Sequence, residues 1–380
     1  MKRADLRGCR LAVPSVLLLL LAFATACGQT VEIGAVDIIR VPNDGRLPHA
    51  VLGNDGTLHM VYVQGDPTEG DLMYASRRPG ATEWATPLRV NSTPGTVTGI
   101  GPVDGGQLAL GPDGRVHVTW MRMVPPAFFY TRSNEDGPGF EEQFDVAADY
   151  GVEAGPALTV DQDNNVYLFW HAGTGEDATR VVYLAVSRDG GFVFAPPRQV
   201  NAEIEGACAC CALAASTDDD GTIRVSYRGA RENIHRGQRL LTSRDAGVTF
   251  TDQLLQPWDV GACPVAVPSL SSSSSGTTVA WETQGQVQFV RVDRPHEIVT
   301  PTGEAILRRK NPTIAVNARG ETLLAWADGS GFRSGGTLHW QLFDSDGRPS
   351  ATGPDIETVV PENSRPAATT RADGGFMVVY

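Results

Sequence analysis

Short runs in which apolar and polar residues alternate recur along the whole chain, each leading into a Gly or Asn turn and then a strand that closes on Tyr or Trp. The copies run from Gly56 to Tyr62, Gly114 to Trp120, Asn164 to Trp170, Gly221 to Tyr227, Gly276 to Trp281, Gly320 to Trp326 and Gly374 to Tyr380. Six keep the same spacing from turn to aromatic, and the fifth is one residue shorter. Alternation with a period of two marks strands, and no helical period competes with it. A repeat of roughly 50 residues made of short strands is the unit of a β-propeller blade.

The third repeat shows the unit best, with strands predicted over 156–160, 166–170, 181–186 and 194–200. The predicted fold is therefore an all-β propeller of four-stranded blades. The copies count to seven blades, against six if one copy is misread. The seventh supplies only the strands 366–370 and 376–380, which leaves a sheet edge that something must cover. The segment Val31–Val41 is expected to pair with it and close the ring.

Composition narrows the class. With 31 basic against 44 acidic residues the net charge is -13, and no basic stripe is available to neutralise phosphates, which excludes nucleic-acid binding. The N-terminus carries Lys2, Arg3, Arg7 and Arg10, then an apolar run from Leu11 to Phe23, then Ala24, Thr25, Ala26 and Cys27. This reads as a secretory signal over 1–27, and small residues before a cysteine resemble a bacterial lipobox, with lipidation at Cys27. The body, 28–380, is expected to be one domain, monomeric, periplasmic or at the cell surface, and held to the membrane by its lipid alone. Cys208, Cys210, Cys211 and Cys263 remain in the body, and four thiols in an exported protein suggest two disulfides. The same four as thiolates, with His49 or His235, would suit a soft ion such as copper(I) or zinc.

Ser187–Phe194 and Ser243–Phe250 fit Ser-x-Asp-x-Gly-x-x-aromatic, and Ser133–Phe140 is a third copy with Glu135 at the Asp position. Ser and Asp can bond the turn's own backbone and the Gly permits positive φ, so the motif is structural. It resembles the Asp box of sialidases and related BNR-repeat propellers, over nearly the whole body. The resemblance implies a glycoside hydrolase of acidic sugars that needs no cofactor. Arg46-Leu47-Pro48 resembles the family's Arg-Ile-Pro motif, and Arg228 and Arg333 stand as the other members of an arginine clamp on a sugar carboxylate.

The departures are as specific. Cys210 and Cys211 stand where the family places its glutamate, and Asn363, Ser364 and Arg365 where it places its tyrosine. Asp66 or Asp71 is left as the candidate acid. Two functions of different class follow: a sialidase-like exo-glycosidase using Arg46, Arg228, Arg333 and Asp66, or a non-catalytic propeller that binds a glycan or an envelope protein with its cysteines as staples. Either ligand is expected at the channel mouth where the inner strands begin. Arg228, Arg231 and Arg236 would give that mouth a local positive patch.

Overall fold

The computed structural model describes residues 36–380 apart from 174, 332–333 and 354–357, with the side chain of 149 also left aside. The expected signal segment and Cys27 lie outside the described residues.

Seven sheets stand around an axis. In the third blade the strands Ala154–Val160, Val166–Ala172, Val181–Ser187 and Arg198–Gln199 pair antiparallel in sequence order. Blades one, two and four repeat this four-stranded order. The fifth has three strands, with a bridge from Phe289 to Val299 at its outer edge. The sixth carries an extra strand, Val359–Val360, on its third. The inner strands touch in succession around the ring, and the first, Arg46–Leu52, meets the last, Ala367–Thr370.

The repeated turn explains the repeated sequence. Between first and second strands, Gly56, Gly114, Gly221, Gly320 and Gly374 each donate a backbone bond of 2.9 Å to the residue three before. All five sit at φ between 78° and 81°, a region that only glycine enters without cost. Asn164, at φ 62°, fills the position in the third blade; asparagine is the side chain that best tolerates this region. The Ser-x-Asp-x-Gly segments are turns of the expected kind. The Ser187 hydroxyl accepts the Gly191 N–H at 2.8 Å, and Asp189 accepts those of Phe192 and Val193 at 3.0 Å.

Burial is organised by seam. Seven apolar clusters lie one between each pair of neighbouring blades. The closing aromatics Tyr62, Trp120, Trp170, Tyr227 and Trp281 are completely buried in them. The buried indoles keep their N–H groups bonded: Trp120 to Thr96 O, Trp170 to Gly151 O and Trp281 to Gln256 Oε1.

The ring closes as expected, by a strand from the other end of the chain. Val36–Ile39 lies parallel to Phe376–Val379, with Ile38 opposite Val378, and makes the seventh blade three-stranded. Val41 N–H reaches Tyr380 O at 2.9 Å, and an Arg371–Asp37 ion pair at 2.6 Å ties the outer face. Ile38 packs against the seam between blades six and seven. Replacing Ile38 with Asp places a carboxylate there and is expected to lower stability by about 1–3 kcal/mol. Limited proteolysis should then cut first in the seventh blade. Unchanged thermal unfolding and cleavage elsewhere would show that this pair does not hold the ring.

Candidate functional site

The two ends of the axis differ in kind. At the end where inner strands begin, the path is filled. Pro48, Pro268, Pro312 and Pro366 line a cavity of only about 80 Å³, with Leu213 and Arg365 beside them. Arg365 is buried and donates Nη1 to Pro102 O and, at 2.8 Å, to Asp104 O. Burial lowers its pKa to about 10. Burial likewise raises Asp104 to about 6, although its carboxylate accepts the Ile100 and Gly101 N–H groups. Leu47, directly before Pro48, holds φ at 55°, a strained value for a bulky side chain.

At the opposite end the inner strands run out into turns and the axis widens into a funnel of about 700 Å³. Its wall includes Asp55, Asp113 and Asp161, the hydroxyls of Thr159, Ser216, Thr217, Ser272 and Thr313, and His59. Among the described residues no Arg or Lys lines it. The expectation of a ligand mouth where the strands begin thus meets a packed end, because Arg365, the prolines and Leu213 occupy that space.

The predicted arginines separate. Arg46 donates Nη2 to Gly65 O at 2.8 Å and is half-buried. Arg228 is buried, with Nη1 on Arg236 O at 2.9 Å, Nη2 on Glu282 O, and its guanidinium 5.2 Å from the Trp258 ring. Its donors are turned to the protein. Arg236 is buried too and pairs with Asp177 at 2.8 Å, so of the three arginines in this hairpin two point inward. Arg333 lies outside the described residues. Asp66 is exposed and accepts the Thr68 hydroxyl at 2.6 Å and its N–H at 2.8 Å; these bonds, hydroxyl first, hold its carboxyl below the usual range. Asp71 accepts bonds from Asn91 and the Gly95 N–H, a loop role.

The cysteines do come together. Cys208–Cys211 is a tight turn ahead of the fourth inner strand, closed by a bond from Cys211 N–H to Cys208 O. A turn, unlike a strand, lets neighbouring side chains share one side, which is how Cys208, Cys210 and Cys211 all face inward. Cys208 Sγ stands 3.5 Å from Cys210 Sγ and 3.4 Å from Cys211 Sγ. Cys263, from the fifth blade, brings its sulfur within 4.8 Å of those of Cys208 and Cys210. These are not bond lengths: a disulfide needs about 2.05 Å, and all four are free thiols here. Hydrogen bonding with Cys208 takes Cys263 down to about 6. Burial pushes Cys211 up, but the Cys208 and Cys210 thiols and the Arg228 charge carry it well below its ordinary value. The neighbouring thiols and burial raise Cys208 and Cys210. His49 stands apart on the first blade, its Nδ1 accepting the Leu108 N–H at 3.2 Å. His235 pairs with Asp259 at 2.7 Å.

Sequence reading missed His171 and Glu282 near these sulfurs and gave Arg228 a different role. In blades three, four and five the residue after the closing aromatic is His171, Arg228 and Glu282, each buried, where blades one, two and six have Val63, Met121 and Ala327. That substitution of polar for apolar at one repeat position was visible. His171 Nε2 donates to Cys211 O at 2.7 Å. Glu282 Oε1 accepts the Gly285 N–H, its Oε2 is buried without a partner, and burial raises its pKa. Lys310 bonds Pro264 O at 2.8 Å, beside Cys263.

No family model and no curated protein matches the sequence. Solved structures do resemble it. An ulvan lyase is 13% identical, covers 88% of this chain and 86% of its own, and has a TM-score of 0.52. The Penicillium chrysogenum α-L-arabinanase is 13% identical over 83% of this chain and 98% of its own, at 0.51. The Hadza microbial sialidase Hz136 is 13% identical over 83% and 74%, at 0.49. At such identity the shared property is the propeller fold.

His49 gives a test of the packed end. Burial first, then the Arg365 charge, lowers its pKa from 6.5 to about 3. The folded state thus holds the neutral form, and its contribution to stability is present above pH 6.5 and lost as pH falls towards 3. Asp104, raised, acts in the opposite sense between about 4 and 6. His49→Asn keeps an acceptor for Leu108 and cannot take the charge. Its loss of stability between pH 7 and 4, followed by urea unfolding, should be smaller than the parent's by on the order of a few kcal/mol. Equal losses would mean that His49 titrates freely in the folded protein.

Proposed function

We propose that this chain is a sugar-binding propeller of the sialidase-like type, in which the fold is kept for recognition and tyrosine–glutamate hydrolysis is not. The observation that carries the reading is the funnel: a concave site of ligand size, walled by hydroxyl and carboxylate groups from successive inner strands. With Asp55, Asp113 and Asp161 in its wall and no Arg or Lys there among the described residues, it favours a neutral oligosaccharide and repels a carboxylated one. The exo-sialidase reading needs guanidiniums open to a ligand, and Arg228 is buried with both terminal nitrogens on backbone carbonyls. Export and lipid anchoring at Cys27, expected from sequence, would put the funnel at the cell envelope.

The test is calorimetric titration with neutral arabino-, xylo- and manno-oligosaccharides against sialylated and uronic ones, alongside hydrolysis of a fluorogenic sialoside. Neutral sugars should bind and the sialoside should remain intact. Ser216→Trp, on the funnel wall and outside the packed end, should weaken binding at least about tenfold, or ~1.4 kcal/mol, with unfolding temperature retained. Arg228→Ala should lower unfolding temperature and leave sugar affinity unchanged. Release of sialic acid, abolished in Arg228→Ala, would overturn the proposal in favour of the carboxylate clamp.

A further inference from the structure

Apart from the seven seam clusters, one small cluster is built from sulfur: Cys208, Cys211 and Cys210 packed with Ala230 and Ala266. Three properties set it apart from a buried thiol patch. The first is convergence. Sulfurs bound to one ion at about 2.3 Å stand about 3.8 Å apart at the corners of a tetrahedron, and here the sulfurs of Cys208, Cys210 and Cys263 all lie within 4.8 Å of one another, Cys208 and Cys210 at 3.5 Å, with Cys211 Sγ adjoining at 3.4 Å from Cys208.

The second is charge. The guanidiniums of Arg180, Arg228 and Arg236 all act on these sulfurs. Each is itself buried or nearly so and fixed: Arg180 by Glu153 and Asp177, Arg236 by Asp177, and Arg228 by carbonyls. Several thiolates around one ion leave net negative charge, and fixed cations are what such a centre requires in its surroundings. The third is support and access. The Ala266 N–H points at Cys211 Sγ at 3.4 Å, and His171 holds the Cys211 carbonyl, so the turn is braced from two blades. Cys263 is exposed, which provides an entry path from solvent.

We infer that Cys208, Cys210 and Cys263, with Cys211 as the adjoining sulfur, form a thiolate site for one thiophilic d10 ion, zinc(II) or copper(I), bridging the fourth and fifth blades. Binding deprotonates the ligating thiols and releases their protons to solvent, with no change of oxidation state. Sulfur ligands select such ions over magnesium or calcium.

The experiment uses the full chain, purified reduced. Metal content per chain is measured after separate exposure to zinc(II) and to copper(I), each in competition with a chelator specific for that ion. Cobalt(II) substitution reports thiolate coordination by its charge-transfer absorption. One ion per chain is expected, with Cys263 shielded from alkylation. Cys263→Ser, at the exposed position least able to disturb folding, should weaken binding by more than the roughly 10–100-fold that loss of an outer-shell partner costs. Cys27→Ser should bind as the parent does. Whichever ion resists its chelator identifies the metal. The inference is overturned if the reduced chain takes up neither ion, if Cys263→Ser binds as tightly as the parent, or if mass spectrometry shows these cysteines joined in disulfides that re-form after reduction in the presence of metal.

Discussion

The structure depends on apolar faces that no blade can bury alone. A sheet of three to five short strands has two faces, and here each face is covered only by the next blade. The aromatic near the end of the repeated segment packs into that contact, and a ring of seven such contacts is complete only when Val36–Ile39 lies beside Phe376–Val379. Stability is thus shared among seams, while the axis, which no seam needs, is left to be filled or left open. At one end it is filled by Arg365 and proline, and at the other it opens.

This division accounts for what the sequence revealed. Alternation, Gly at the first turn and the aromatic six residues later are local requirements, so blade number, strand order and ring closure could be read from them. The departures from the plain unit were less legible: the fifth blade lacks a full outer strand and the sixth has an extra one. Their outer edges are solvent-facing and carry weak patterns.

The axial site was legible only where chemistry is rare in composition. Three cysteines in four residues stand out in any chain, and their meeting with Cys263 followed from neighbouring blades. Arg365 and Asp104 do not stand out, because their contact spans 261 residues and either residue alone resembles a surface charge. Arg228 looked like a ligand-binding arginine for the same reason. A sequence shows that a guanidinium is present near the axis, but not whether carbonyls have already taken its donors. His171 and Glu282 could have been found, and Arg228 grouped with them, by comparing the repeats with each other at the position after the aromatic.

The closing strand also fixes how the ring would respond to force. Val36–Ile39 runs parallel to its partner, with paired residues in step from Val36 with Phe376 to Ile39 with Val379. A pull on the chain ahead of Val36 along the strand loads the whole row of inter-strand bonds in shear at once, instead of peeling them one at a time. The element that completes the hydrophobic ring is therefore also a mechanical clasp, aligned to carry tension arriving from the N-terminal side.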